Sequence, residues 1–135
     1  MNPIRLGVVG SGHFTCGSHL PVIASLPGIT VSALCDIDEG NLRRASELVG
    51  SQVMFFRDYR ELVALPELAA VQVATPTHLH PEVAIAAFAA GKHVFCEKPL
   101  APRPQDLRAI LEAWQASGRL FQVGYVYRTR RFFVA

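Results

Sequence analysis

The sequence predicts an α/β fold: a doubly wound, mostly parallel sheet of about six strands with helices on both faces. Three observations predict it. Short apolar, β-rich runs alternate with helix-like segments along the whole chain. These runs are continuously apolar instead of alternating, as strands buried on both faces must be. Right-handed strand–helix–strand crossovers turn such an alternation into a parallel sheet. The 135 residues make one domain of ordinary size, long enough to bury about two-thirds of the unfolded chain's surface.

The elements follow in order. IRLGVV at 4–9 reads as a strand, and a Gly-rich turn leads to a helix over 14–26. TVSALC at 30–35 is the second strand. The segment DEGNLRRASELVG puts Leu42, Ala45 and Leu48 on one helical face, with Gly50 as the stop. VMFF at 53–56 is a short third strand, followed by a short helix over 58–64. AAVQVAT at 69–75 is the fourth strand, and PEVAIAAFAAG a helix with proline at its start and glycine past its end. HVFC at 93–96, the helix PQDLRAILEAWQASG and a sixth strand, LFQVGYVY at 120–127, complete the series.

Composition narrows the class. The chain is 50% hydrophobic and 18% charged, so disorder is not expected. A net charge of +2 argues for neither a nucleic-acid nor a membrane partner. The RTRR cluster at 128–131 reads as a solvated stretch opening a helix, with phosphate binding the less favoured alternative. Cys16, Cys35 and Cys96 show no C-x-x-C spacing, and two of them sit in apolar runs. That pattern fits free thiols in a reducing cytoplasm. No apolar run reaches bilayer-spanning length. His78, His80 and His93 lack a carboxylate or cysteine partner, so no metal is expected.

In a doubly wound sheet, ligands bind beyond the carboxyl ends of the strands, where the strand order reverses. Three stretches sit there. After strand one comes GSGHFT: Gly10 permits a tight turn, Gly12 lets the backbone approach a pyrophosphate, and the following helix start presents free N–H groups. Thr15 stands where a third glycine is usual. A plain tight turn is the alternative. After strand two, Asp36 can accept hydrogen bonds from an adenosine ribose, although Asp36 and Glu39 also have helix-cap spacing. A 2′-phosphate there would meet Asp36, Asp38 and Glu39, with Arg43 and Arg44 further along the helix, so NAD is expected over NADP. After strand four, Thr75, Pro76 and Thr77 form a stiff polar turn, with His80 capping it. Strand five ends at Glu97-Lys98-Pro99, where Pro99 keeps Lys98 out of helical geometry. An ammonium there can hydrogen-bond a substrate oxygen while hydride moves at a nicotinamide. An ordinary loop ion pair of Glu97 with Lys98 remains open.

GSGHFTCGSHLP, LCDID, ATPTHLHPE and GKHVFCEKPL, in this order and spacing, resemble the N-terminal half of the Gfo/Idh/MocA oxidoreductases, a family that includes glucose–fructose oxidoreductase and inositol dehydrogenase. The resemblance runs from Ile4 to Arg128 and implies a Rossmann domain over 1–127. It implies cofactor binding by Gly10, Gly12, His13, Phe14, Thr15, Asp36 and Ile37 on one side, and by Ala74, Thr75, Pro76, His80 and Glu97 on the other. Lys98 would contact cofactor and substrate and act as the catalytic residue, with Tyr125 and Arg128 as lesser substrate candidates. The implied substrate is a sugar, cyclitol or similar polyol. The family pattern also implies a second α/β substrate domain, of which 128–135 would be the start. That domain would supply a proton-transfer partner and the interface of a homo-oligomer, so the chain alone is expected to turn over negligibly. A different class, a stand-alone NAD(H)-sensing module without catalysis, remains open, as does an interaction domain with a vestigial site.

Overall fold

A computed structural model describes residues 2–50 and 52–129. Its strands are β1 (Ile4–Val9), β2 (Ile29–Cys35), β3 (Met54–Phe56), β4 (Ala70–Val73), β5 (His93–Cys96) and β6 (Phe121–Val123). They form one six-stranded sheet in the order β3-β2-β1-β4-β5-β6, and every pairing is parallel. The order reverses between β1 and β4, as a doubly wound sheet requires.

Among the described residues five α-helices cover the two faces: α1 (Leu20–Ser25), α2 (Glu39–Val49), α3 (Tyr59–Val63), α4 (His80–Ala89) and α5 (Pro104–Ser117). Neighbouring strand residues point to opposite faces, so Val8 and Leu34 join Leu20, Leu42 and Ala45 under α1 and α2. Val9, Ala33, Val71 and Val73 instead join Leu62, Val83, Phe88 and Ile110 under the other three helices. Val31 shares the face of Leu34 because the β1–β2 register slips between Leu6 and Gly7, leaving Ser32 as an extra residue. The Arg5 side chain donates to the Ser32 hydroxyl at 3.2 Å there.

Local chemistry sets the element ends. Asp58 caps α3 through Arg60 N–H, and Gly118, with φ of 64°, closes α5 in the left-handed region. Lys92 is buried, and its ammonium donates to the carbonyls of Leu65 (2.6 Å) and Leu68 (3.0 Å). It thereby fixes the connection between α3 and β4.

Two departures from the sequence expectations, before α1 and at the end of β6, have physical causes, and the helix-cap alternative for Asp36 is not the one the chain takes. The expected helix over 14–26 begins at His13 but contains a π turn, Thr15–His19, before α1. The amide of Leu20 reaches back to the Thr15 carbonyl, which inserts one residue into the helix. Asp38, not Asp36, caps α2 by accepting from Asn41 N–H at 3.1 Å. The sixth strand ends at Val123, not at 127. Gly124 still donates to the Cys96 carbonyl at 2.9 Å, but Tyr125 N–H then turns back to Val123 O and the chain enters a 3-10 turn, Val126–Thr129. A Cβ on Gly124 would lie 2.8 Å from a Glu97 carboxylate oxygen, so any larger residue there would have to displace that carboxylate. The remainder of RTRR and the RRFFVA segment lie outside the described residues, apart from Arg128 and Thr129.

Candidate functional site

The carboxyl ends of β1, β2, β4 and β5 meet at one edge of the sheet. Gly10, the first residue past β1, has φ of 94°, and a Cβ there would sit 2.5 Å from the Ala74 carbonyl carbon and oxygen. Only glycine lets the turns after β1 and β4 touch. Nothing lies within 4 Å of a Cβ built on Gly12, so its backbone faces open space. Thr15 is buried, and its hydroxyl donates to the Gly10 carbonyl at 2.8 Å. It therefore closes the turn by a hydrogen bond where a third glycine would close it by close packing. His13 and Phe14 are exposed at the start of the helix that follows the turn.

Asp36 ties β2 to this turn. One carboxylate oxygen accepts from Ser11 N–H at 2.8 Å and from the Asn41 side-chain amide at 3.3 Å; the other accepts from Asp38 N–H at 2.9 Å. That is why Asp36 does not cap α2: it is drawn across the end of the sheet. Two hydroxyls of these turns, those of fully buried Ser11 and of Thr75, have no hydrogen-bond partner among the described residues. Gly10, Asp36, Ile37, Thr75 and Pro76 line one cleft of about 150 Å³, together with Arg57, Tyr59 and Leu79. Ile37 is 80% exposed at its mouth. Ala74 stands behind it, its amide bonded to the Val9 carbonyl.

His80 is buried beneath this cleft and does not line it. Its Nε2 lies 2.8 Å from the Thr75 carbonyl and its Nδ1 2.9 Å from the Pro99 carbonyl. It bridges the turn after β4 to the loop after β5. Both partners are acceptors, so a neutral ring donates to one of them at a time.

Glu97 and Lys98 do not form a side-chain ion pair. Glu97 is buried, 7% exposed, with one oxygen 2.9 Å from His19 Nε2 and the other accepting from Lys98 N–H at 3.1 Å. The His19 Nδ1 faces the side-chain amide of Gln72, on β4. An amide donating to Nδ1 leaves the ring hydrogen on Nε2, directed at the carboxylate. Phe14 and Phe95 meet the His19 ring edge-on, at 5.1 and 5.8 Å between centroids. The π turn brings His19 to this place. Lys98 is exposed, and its ammonium makes no hydrogen bond or ion pair among the described residues. It opens onto a second cleft of about 340 Å³ with Gly124, Tyr125, Tyr127 and Arg128. The Arg128 guanidinium stands 5.8 Å from the Tyr125 ring. Burial pushes the thiols of Cys35 and Cys96 up to about 12, which leaves them inert as nucleophiles.

The sequence reading missed Ser11, His19, Gln72 and Arg57. Gln72 carried a signal, as the lone polar residue inside the buried run AVQV. The expectation that no base stands beside Asp36 is corrected. Arg57, just past β3, donates to the Ile37 carbonyl at 2.7 Å, because β3 pairs with β2.

A doubly wound sheet with this glycine turn and a strand-end carboxylate defines a dinucleotide-binding domain. A family model for an oxidoreductase family with an NAD-binding Rossmann fold, GFO_IDH_MocA, matches residues 4–125, and the chain belongs to that family. It is 40% identical over 123 residues to the inositol 2-dehydrogenase of Gluconacetobacter diazotrophicus, covering 90% of this chain and 36% of that protein. It is 33% identical over 133 residues to the inositol 2-dehydrogenase of Salmonella typhimurium, covering 97% and 39%. The chain thus spans about two fifths of the length of these relatives. Among solved structures, scyllo-inositol dehydrogenase from Lactobacillus casei matches with a TM-score of 0.87 at 26% identity, covering 96% of this chain and 38% of that one. The 3-ketoreductase KijD10 from Actinomadura kijaniata, in complex with NADP, matches at 0.84 and 28%, covering 96% and 41%. No helix among the described residues is long and apolar enough to cross a membrane.

The residues present fit a nicotinamide dinucleotide. Gly12 is open for a close backbone approach, the Ser11 and Thr75 hydroxyls lack partners among the described residues, and Asp36 is held as an acceptor at the cleft.

Proposed function

We propose that this chain is the cofactor-binding part of an oxidoreductase that moves hydride between a nicotinamide and a carbon bearing a secondary alcohol of a cyclitol, sugar or similar polyol. The observation that carries this reading is the Lys98 ammonium, without a hydrogen bond or ion pair among the described residues, at the end of β5 on the same sheet edge as the glycine turn. The similarity to inositol 2-dehydrogenases supports the substrate class.

When bound, the nicotinamide cofactor supplies the hydride donor or acceptor. Gly10, Gly12 and Thr15 shape a turn whose amides take the pyrophosphate, with His13 and Phe14 at the start of the helix that follows. Asp36 accepts from ribose hydroxyls, while Ile37, Ala74, Thr75 and Pro76 form the walls of the cleft. His80 keeps the turn after β4 in place from below. Glu97 fixes the backbone of Lys98, and the Lys98 ammonium donates to the reacting oxygen and bears part of its charge as the carbon–hydrogen bond breaks. Tyr125 and Arg128 flank the substrate on the Lys98 side. The partner for proton transfer is assigned to the second domain that follows residue 127, and the buried free thiols fit a reducing, cytoplasmic setting.

Asp36 favours NAD over NADP, because its carboxylate would repel a 2′-phosphate. Calorimetric titration of the chain with NADH and NADPH, repeated on Asp36→Ala, tests the reading. Saturable NADH binding, weaker NADPH binding and loss of that preference in the variant are expected. Absence of binding to either cofactor would overturn the proposal.

A further inference from the structure

The cleft beside Asp36 has an uneven wall. Ile37 on one side and Pro76 and Leu79 on the other are apolar, and Ile37 stays 80% exposed at a loop tip. An exposed isoleucine gains nothing from solvent, whereas a flat apolar ligand could cover it. Asp36 is held at the mouth by two backbone amides, so a ribose on its carboxylate would direct the attached base into this cleft.

Arg57 is the one cation lining the cleft among the described residues. It makes no ion pair among those residues, and its hydrogen bond to the Ile37 carbonyl pins one edge of the guanidinium. A guanidinium held by its edge leaves its planar face available, and that face stacks favourably on a π system.

Resting on the dinucleotide reading above, we infer that Arg57 is an affinity-determining residue that lays its guanidinium against the adenine of the cofactor. The adenine then lies among Arg57, Ile37, Pro76 and Leu79. Arg57 thereby acts on NAD and NADP alike, and Asp36 alone discriminates between them. Arginine in this role is not a phosphate ligand, which separates the inference from the ordinary expectation for a base near an adenosine ribose.

The test is a calorimetric titration of the 135-residue chain and of Arg57→Ala and Arg57→Lys with NADH, NADPH and AMP, with urea unfolding of each variant alongside. Arg57→Ala is expected to weaken all three ligands by the same factor, roughly tenfold, as loss of a partly desolvated cation–π stack would. Arg57→Lys is expected to recover part of that loss, because an ammonium keeps the charge and loses the planar face. Unfolding midpoints are expected to coincide, because Arg57 is exposed. Unchanged NADH and AMP binding in Arg57→Ala overturns the inference, and so does weakening confined to NADPH, which would mark a phosphate contact. A wild-type chain that binds none of the three overturns the dinucleotide reading itself, and the inference falls with it.

Discussion

The interaction of His19 with Glu97 is the most exposed to disproof by measurement. Glu97 is 7% exposed, and among the described residues its carboxylate has two polar partners, His19 Nε2 at 2.9 Å and Lys98 N–H at 3.1 Å. His19→Ala removes one of them. Losing one partner of a hydrogen bond to a charged group costs about 1.5–3 kcal/mol. Loss of the two edge-on contacts with Phe14 and Phe95 adds about 1 kcal/mol more. His19→Ala is therefore expected to destabilise the chain by about 3 kcal/mol. Much of that cost belongs to a buried charge left under-solvated, so converting the charge to an amide should return part of it. In the His19→Ala background, Glu97→Gln is expected to recover about 1–2 kcal/mol, although in the wild-type background it destabilises. Urea denaturation of the four proteins, followed by circular dichroism, closes the cycle. If the two substitutions add to within about 0.5 kcal/mol, the sites are uncoupled and the reasoning fails.

Three more outcomes are expected. Gly10→Ala forces a Cβ into the Ala74 carbonyl at a φ of 94°, so it should cost about 3 kcal/mol or more and abolish NADH binding, as urea titration and calorimetry would read. Burial lowers the pKa of Lys92 below its ordinary 10.5, so the unfolded chain holds the proton more tightly than the folded one. Stability then rises with pH between the lowered value and 10.5, and the gap between wild type and Lys92→Met should widen across that window; a constant gap refutes it. The three cysteines are all buried, and the thiols of Cys35 and Cys96 are pushed up to about 12. A disulfide thiol reagent should accordingly leave the native chain unmodified at neutral pH and titrate every thiol after unfolding; rapid native reaction would contradict the burial.

Strands and helices were legible where the local pattern is strong. The runs IRLGVV and HVFC coincide with β1 and β5, and Pro104 and Gly118 bracket α5 as their backbone preferences dictate. The misplaced end of β6 had a different origin. LFQVGYVY is β-rich throughout, yet Gly124 passes the Glu97 carboxylate and the chain turns there, and no local pattern reports a carboxylate from another strand. The residues of the glycine turn and the strand-end Asp36 were legible because they depend on short-range geometry. His19, Gln72 and Arg57 were not, since each acquires its partner through strand order. Arg57 meets Ile37 only because β3 lies beside β2, and Gln72 meets His19 only because the π turn swings the imidazole towards β4. Asp36 and Glu39 looked like a capping pair, and the longer reach to Ser11 overrode that local preference.

The pairing of Val9 with Val73 carries a further consequence. Between those two residues the chain must complete α1, β2, α2, β3 and α3, so the contact of Gly10 with Ala74 closes one of the longest loops in the domain. Contacts of such sequence separation form slowly, after their loop entropy has been overcome. The crevice is thus a product of the finished topology: either half of the sheet could collapse by itself without creating it. A cofactor that fills it would bind only the chain whose two halves have met, and would stabilise that joined state by mass action.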